Sequence, residues 1–310
     1  MVLKMEFENY EERLTREVKD FAKRVGADLV GIADAKRLVG SPQGHSSPLR
    51  IMPKSKSIIV IAKRFPHGAI DVPHPPVDGP IEELEAVHGG CYVATYMSIN
   101  SKLSEMSYEI ANFLETEKKY LASPVTPTMP RDEVRWLGTI SLRKAAEEAG
   151  LGDIGVNQLV LTPQFGPRCR FAAIITNAPL VIDGPKLRGK VCTHCFKCAE
   201  ACPVKAIEKR PNDLPENYDR LTNYSLVKCM WASATAFYKV SGCQQPPGDW
   251  ANAKTPQEVA TIRPKYVEKY PKVVAYQNLS LKVSGYPNCD VCMGHCEVGI
   301  NSRKRDMIEE

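Results

Sequence analysis

Four cysteines in one short stretch constrain this chain more strongly than any other feature. Residues 191–203 read VCTHCFKCAEACP and contain Cys192, Cys195, Cys198 and Cys202, with Pro203 directly after the last of them. Two residues between successive cysteines allow a tight turn to direct three sulfur atoms at one compact centre. The fourth cysteine follows a gap of three residues, so its side chain points away from the first three. This spacing is typical of cysteines that bind iron–sulfur clusters.

A second and shorter cysteine run, NCDVCMGHC, lies near the end of the sequence. In the C-x2-C-x2-C-x3-C-P pattern of bacterial ferredoxins, the fourth cysteine binds the other of two clusters. The first predicted [4Fe–4S] cluster is therefore bound by Cys192, Cys195, Cys198 and Cys296. The second is bound by Cys202, Cys289, Cys292 and one further cysteine. Cys229, in VKCMW, is the best candidate for that position, and Cys243 is the alternative.

Disulfide bonds and zinc are the other common uses of clustered cysteines. The first 21 residues, MVLKMEFENYEERLTREVKDF, have neither an apolar signal-peptide core nor a twin arginine, so we expect no export and no disulfides. Zinc sites do not require three evenly spaced cysteines followed by Cys-Pro, and here a second run accompanies the first. The 11 cysteines of the chain therefore predict two [4Fe–4S] clusters in a reducing, anaerobic cytoplasm.

Length and charge narrow the class of protein further. The 310 residues suffice for about two domains. A hydrophobic fraction of 43% and a charged fraction of 25% are ordinary for a globular protein. The formal charge of +5 is modest, and the Lys and Arg residues do not form a continuous run. We therefore expect no nucleic-acid partner. No apolar stretch is long enough for a membrane span.

Hydrophobic periodicity predicts a mixed helix and strand order before the cysteines. Helical spacing occurs at 7–25, 81–114 and 141–149. Strand-like apolar runs occur at 28–33, 56–63, 158–162 and 169–176. Residues 123–130 are expected to be a proline-rich loop. From residue 180 the composition shifts toward Cys, Pro and Lys, which marks a second domain. The order of elements predicts an α+β fold.

The segment 141–180, SLRKAAEEAGLGDIGVNQLVLTPQFGPRCRFAAIITNAPL, resembles the reductive dehalogenases. It is similar, more loosely, to epoxyqueuosine reductase. The shared pattern is a helix with paired alanines, then AGLG-x-IG-x-N, LTP-x-FGPR and a strand that ends in T-x-APL. The ferredoxin-type run follows at the family's usual distance, and the context of Cys229 matches an upstream cysteine that binds the family's second cluster. The resemblance covers roughly residues 7–296.

The resemblance implies a nitroreductase-like α/β domain over 1–180 that binds cobalamin with its lower base detached. A ferredoxin-like domain with two [4Fe–4S] clusters then covers 181–310, with an insertion at about 239–285. In such families the corrin is held largely by backbone groups. Contacts are therefore expected at the turns near Gly155, Asn157 and Gly166. The insertion is expected to be either a lid over the site or a surface excursion.

The resemblance also implies where a proton donor lies. The family places a tyrosine or an aspartate near the start of the long central helix, which here corresponds to CYVATYMSIN. Tyr96 is the candidate acid, Tyr92 is second, and His88 is a weaker alternative. The family carries Lys or Arg in its IG-x-N turn, whereas this chain has Val156 there. Arg143 or Arg168 is a possible substitute for that cation.

These features predict a cytoplasmic cobalamin-dependent reductase that cleaves a carbon–heteroatom bond of a small molecule, as a dehalogenase does. A ferredoxin or flavodoxin would supply the electrons, which pass through both clusters. The main alternative is an electron-transfer or reductive-activation protein without substrate chemistry of its own, and the loss of the basic residue at Val156 favours it. A flavin-using or cofactor-free iron–sulfur enzyme on the same scaffold is a third hypothesis.

Overall fold

A computed structural model describes ten stretches of the chain: residues 9–38, 45–70, 92, 94–127, 131–132, 137–208, 224–233, 248–253, 256–269 and 289–299. The helices are α1 (Tyr10–Arg24), α2 (Pro48–Ile51), α3 (His67–Ile70), α4 (Ala94–Thr116), α5 (Leu142–Glu148), α6 (Lys197–Ala201), α7 (Leu226–Ser233), α8 (Gly248–Asn252), α9 (Pro256–Lys269) and α10 (Val291–Gly294). The strands are β1 (Leu29–Asp34), β2 (Ser57–Arg64), β3 (Ala122–Val125), β4 (Arg131–Asp132), β5 (Leu137–Gly138), β6 (Asp153–Ile154), β7 (Val160–Leu161) and β8 (Cys169–Thr176).

A four-stranded sheet in the order β1-β2-β8-β3 organises the first part of the chain. Each neighbouring pair in it is antiparallel, with Ile59 opposite Ile174 at the centre. The run SIIVIA at the start of β2 is buried throughout, because both faces of the sheet are covered. The antiparallel pairing agrees with the predicted α+β class.

The two faces of the sheet pack against different helices. Ile59, Ile61 and Ile174 face one side and pack with buried residues of α1 and α4. The alternate residues of the same strands face the other side and pack with α5. Gly31 of β1 allows the close approach of α5, because a Cβ at Gly31 would lie 2.3 Å from the carbonyl oxygen of Ala149. The result is a helix–sheet–helix arrangement.

Helix α1 begins where its sequence supplies a capping box. Asn9 accepts a hydrogen bond from the backbone of Glu12 at 3.0 Å, and Glu12 accepts one from the backbone of Asn9 at 3.2 Å. The long helix α4 is ordered by the apolar side chains at Ile99, Leu103 and Ile110, which the sequence periodicity identified. It lies over β3 and β8.

Most predicted elements are confirmed, and one is wrong. β8 has the bounds that the sequence predicts, and α1, β1, β2 and α5 lie within two or three residues of theirs. Part of the expected loop at 123–130 is instead strand β3, which pairs with β8 even though Pro124 lies within it. Proline is tolerated there because β3 is an edge strand. The predicted helical residues 81–91 lie outside the described part of the chain.

Residues just after the predicted domain boundary still attach to the sheet. Asp183 accepts a hydrogen bond from the backbone of Ile32 at 2.8 Å and pairs with Lys19 at 2.7 Å. Val181 donates to the hydroxyl of Thr15 at 2.8 Å. The division at residue 180 stays a prediction, but the contacts of the first domain reach Asp183. None of the helices described here is long and apolar enough to cross a membrane.

Candidate functional site

The first group of thiols combines the ferredoxin-type run with the last cysteine of the second run. Burial, followed by the negative charges of Cys296, Cys192 and Cys195 in their thiolate forms, raises the pKa of Cys198 to about 12. The backbone bends within the run, where His194 and Phe196 have φ angles of 54° and 58°. These bends precede α6, which packs against α10 and so brings Cys296 to the other three cysteines. This group matches the ligand set predicted for the first cluster.

The second group of thiols contains the remaining predicted ligands. Burial raises the pKa of Cys292 well above its ordinary value, and the thiolates of Cys289 and Cys229 raise it further. Cys202, the fourth predicted member, has a smaller effect, and so does Cys198 of the first group, so the two groups are neighbours. The structure therefore places Cys229 near Cys292 and Cys289, and the role of Cys229 as a ligand stays a prediction. Cys243, the alternative, lies outside the described residues.

Thiols are the ligands that iron–sulfur clusters use, and the two clusters stay a prediction for these cysteines. Among the described residues, no three Cys, His, Asp or Glu side chains are close enough to share one metal ion. A four-iron cluster spreads its thiolates around a larger polyhedron than a single ion does. Several buried thiolates repel one another, and the positive charge of bound iron would offset this repulsion and so stabilise the deprotonated form. The backbone N–H of Ala206 donates to Cys202 Sγ at 3.3 Å, which is a typical contact around cluster sulfurs.

The helix that carries Cys229 is supported by a part of the insertion. Trp250 of the PPGDW motif is fully buried, and its indole N–H donates to the carbonyl of Val227 at 3.0 Å. Its ring lies 5.2 Å from that of Trp231, edge to face. Trp250 therefore packs against helix α7 and supports it. A lid and a surface excursion both stay predictions for the segment 239–285.

Two polar residues hold the cysteine runs in place, a role that the sequence analysis gave to neither of them. Asp153, fully buried, accepts hydrogen bonds from the backbone N–H groups of Gly189 at 2.9 Å and Cys192 at 3.4 Å. Arg168, 2% exposed, donates to the carbonyls of Cys296 and Val298. Both residues lie inside the motifs that carry the family resemblance, GLGDIG and FGPR, so the motifs could have suggested them.

The two glycine-rich turns pack against protein atoms. A Cβ at Gly166, where φ is 56°, would lie 2.0 Å from the carbonyl oxygen of Val298. A Cβ at Gly155 would lie 2.4 Å from Leu161, and Asn157 accepts a hydrogen bond from the backbone of Leu159 at 3.2 Å. These contacts explain the residue types without a bound corrin. Corrin contact at Gly155, Asn157 and Gly166 stays a prediction.

The candidate acid Tyr96 lies in a buried corner lined by aromatic rings. Tyr96 is 6% exposed, and its ring centroid is 6.1 Å from that of Tyr92 and 6.3 Å from that of Phe65. The guanidinium carbon of Arg170 lies 4.3 Å from the centroid of the Tyr96 ring. Arg170 also donates to Asn100 Oδ1 at 3.2 Å. We call Tyr96, Asn100 and Arg170 the Tyr96 corner.

The Tyr96 corner is connected to the second thiol group through Tyr92. The hydroxyl of Tyr92 donates to Met293 Sδ at 3.9 Å, and Met293 follows Cys292 directly in the chain. Burial raises the pKa of Tyr92 well above its ordinary value, with a further contribution from Asp290. Tyr92 is therefore neutral at physiological pH. Among the described contacts, the one between Tyr92 and Met293 joins the Tyr96 corner to the second cysteine run.

Both arginines suggested as substitutes for the missing cation have described partners other than Tyr96. Arg168 is bound to the carbonyls of the second cysteine run, and Arg143 donates to the carbonyl of Gln158 at 2.7 Å. The residue whose cation does lie at Tyr96 is Arg170, which the sequence analysis missed. Its place at the start of β8, on the face toward α4, follows from the two-residue period of the strand.

Val156 is 4% exposed and packs in the core around the cysteines, with Phe196 and Trp231 among its members. We expect Val156→Lys to place an ammonium group in this core at a cost of about 3 kcal/mol or more. The melting temperature of the protein should fall by about 6–12 °C. Val156→Met, which has similar length and no charge, is the control and should lower it much less. Equal melting temperatures for the two variants would contradict this packing.

Comparison with known proteins shows which superfamily this chain belongs to. A tetrachloroethene reductive dehalogenase of Desulfitobacterium hafniense is 31% identical over 249 residues, which cover 70% of this chain and 43% of the relative. The epoxyqueuosine reductase of Bacillus subtilis is 26% identical over 215 residues, covering 63% of this chain and 52% of the relative. The chain belongs to the superfamily of reductive dehalogenases and epoxyqueuosine reductases. No protein-family model matches it.

Solved structures of the superfamily support the fold. A reductive dehalogenase, whose structure is described as suggesting a mechanism for B12-dependent dehalogenation, matches with a TM-score of 0.56 at 18% identity. The match covers 91% of this chain and 38% of that protein. The chain thus spans about half or less of the length of these superfamily members. The named relatives are reductases, which confirms the expected oxidoreductase class at the level of the superfamily.

One of the matching solved structures contains RNA. An epoxyqueuosine reductase has been solved with an epoxyqueuosine-modified tRNA stem loop. That structure has a TM-score of 0.45 and 20% identity, with 81% of this chain and 80% of that protein covered. That nucleic acid plays no part in the function of this chain stays a prediction.

Proposed function

We propose that this protein is a corrinoid-dependent iron–sulfur oxidoreductase that reductively cleaves a carbon–heteroatom bond. The observation that supports the proposal most is the arrangement of the thiols into two neighbouring groups, the second of which is joined to the Tyr96 corner by Tyr92 and Met293. Electrons that enter at one group have a short route to the other and then to the corner. The relatives' reductase activities agree with this direction of flow.

The proposed roles of the residues follow from their surroundings. The eight cysteines hold two clusters, which supply electrons of low potential. A bound corrinoid would supply the metal centre at which the carbon–heteroatom bond is reduced. Phe65 and Tyr92 exclude water from the corner, because both side chains are almost fully buried. Tyr96 provides the proton from its phenolic O–H.

Corrinoid binding is the first experimental test. The protein is purified anaerobically, reconstituted with iron, sulfide and hydroxocobalamin, desalted, and examined by absorption spectroscopy. Retention of base-off cobalamin is the expected result. Loss of all corrinoid on desalting would favour the alternative, an electron-transfer or reductive-activation protein, for which the apolar Val156 is the specific observation.

The substrate class requires two parallel assays. Halogenated small molecules represent the dehalogenase relatives, and an epoxyqueuosine-modified tRNA stem loop represents the epoxyqueuosine reductases. We expect turnover of the small-molecule class, with a ferredoxin or flavodoxin as electron donor. If only the stem loop is turned over, the proposed reaction type stands, but the substrate is a tRNA and not a small molecule.

We expect Tyr96→Phe to lower kcat about 100-fold or more, because it removes the phenolic proton and leaves the ring in place. Iron content and corrinoid binding should not change. Tyr108→Phe is the matched control, since Tyr108 lies on the same helix and is 61% exposed. Steady-state kinetics on the confirmed substrate provide the measurement. An unchanged kcat in Tyr96→Phe would remove Tyr96 from the role of acid.

A further inference from the structure

The Tyr96 corner contains a buried amide donor that the described part of the protein does not use. Asn100 is 4% exposed, and its Oδ1 atom accepts the hydrogen bond from Arg170 Nε. Its Nδ2 atom is buried and has no hydrogen-bond acceptor among the described residues. A buried N–H group without an acceptor destabilises a protein, so such groups are generally found with a partner. Asn100 Nδ2 can therefore donate a hydrogen bond to an acceptor that binds at the corner.

The same corner contains a cation without a carboxylate. Arg170 lies opposite Lys63 on the neighbouring strand, and the two side chains point to the same face of the sheet. Lys63 is paired with Asp28 at 3.1 Å, whereas no carboxylate within the described stretches forms an ion pair with Arg170. The guanidinium is only partly buried, so N–H groups other than Nε remain available.

Tyr96 and Asn100 are four residues apart on α4 and share one face of the helix. Arg170 contacts both of them, one through its guanidinium face and the other through Nε. The amide donor, the cation and the proposed proton donor are thus brought together at one place. The rings of Phe65 and Tyr92 form an apolar wall beside them. An acceptor bound there would lie next to an aromatic surface.

We propose that Arg170 and Asn100 form a subsite that binds an anionic group of the substrate, or the anion that leaves it, beside Tyr96. The proposal rests on the proposed function, because it gives Tyr96 a substrate to protonate. An anion suits the site because Asn100 supplies an N–H donor and Arg170 supplies a positive charge that no carboxylate of the described residues pairs with. Arg170 is in addition the positioning residue for the Tyr96 ring.

The test measures binding of two anions to the cluster-loaded full chain without corrinoid or turnover. Benzoate represents an anionic substituent of a substrate, bromide represents a leaving halide, and benzamide is the neutral counterpart of benzoate. Dissociation constants are obtained by calorimetry at constant ionic strength. We expect at least one anion to bind and benzamide to bind about 10-fold more weakly than benzoate.

Three variants assign the binding to the subsite. Arg170→Met and Asn100→Leu should each weaken anion binding by about 10-fold or more. Lys63→Met removes an equal charge from the neighbouring strand and should change it less than twofold, since Asp28 already pairs with Lys63. Arg170→Lys keeps the charge but not the planar fork, so it should give an intermediate loss. Circular dichroism checks that each variant is folded.

Each outcome decides the proposal. Binding of bromide alone would identify the leaving anion, and binding of benzoate alone would identify a substrate substituent. No binding of either anion, equal binding of benzamide, or an equal loss in Lys63→Met would overturn the subsite. Because no corrinoid is used, failure of corrinoid binding would count against the proposed function and leave this result unaffected.

Discussion

Replacing Cys229 with alanine is expected to lower bound iron from about eight to about four atoms per chain. The physical reason is that Cys229 belongs to the second thiol group, where it acts on Cys292 together with Cys289. Removal of one of four ligands leaves an iron exposed, and a cluster of low potential is then readily lost. The first group does not include Cys229 and should keep its iron. Iron and sulfide analysis after anaerobic reconstitution provides the measurement.

Cys169→Ala is the matched control for Cys229→Ala. Cys169 is also buried, and burial raises its pKa to about 12, but it lies on β8 and belongs to neither thiol group. The control should keep about eight irons. If Cys229→Ala also keeps about eight, the fourth ligand of the second cluster lies elsewhere, and Cys243→Ala becomes the next variant to analyse. Zinc in place of iron in the wild-type protein would exclude both clusters.

Local sequence patterns could predict the elements whose side chains follow one clear period. β2 is a continuous apolar run and β8 a similar one, and both lie where their sequences place them. α1 has an apolar stripe and a capping box in its sequence. The edge strand β3 was missed because its pairing with β8 is a tertiary contact, and its proline suggested a loop. A proline in the sequence shows that one N–H group is missing, but it does not show whether the strand lies at the edge of a sheet, where that loss is tolerated.

The candidate site divides in the same way. The grouping of Cys192, Cys195 and Cys198 followed from their spacing, because local turn geometry sets the separation of these ligands. Cys296 was added from the ferredoxin pattern, and Cys229 from its sequence context and the resemblance. The role of Arg170 did not follow from the sequence, since its contacts with Tyr96 and Asn100 join a strand to a helix about 70 residues away in the chain. The hydrogen bond from Trp250 to Val227 of α7 is also a long-range contact that sequence periodicity does not predict. Sequence periodicity gives the face of an element but not its partner.

The second large effect is expected where the LTPQFGP turn contacts the segment that follows the second cysteine run. Gly166 and Gly299 face each other with φ angles of 56° and 77°, so that neither position tolerates a side chain easily. A Cβ at Gly166 would lie 2.0 Å from the carbonyl oxygen of Val298, a backbone atom that cannot rotate away. Arg168 binds that same carbonyl at 3.0 Å and the carbonyl of Cys296. The segment after Cys296 is therefore held from two sides.

Gly166→Ala should displace this segment and with it Cys296, the ligand that the second run contributes to the first thiol group. We expect loss of about four irons per chain and a clear fall in melting temperature. Gly184→Ala is the control, because Gly184 has a φ of 74° but no atom within 4 Å of the added Cβ. It reports the backbone strain alone, about 1 kcal/mol, and should keep both clusters. If the two variants lose the same amount of iron, the close packing of Gly166 on Val298 does not position Cys296. A selective loss in Gly166→Ala would instead show that the LTPQFGP turn, far from the cysteines in sequence, determines whether the first cluster is assembled.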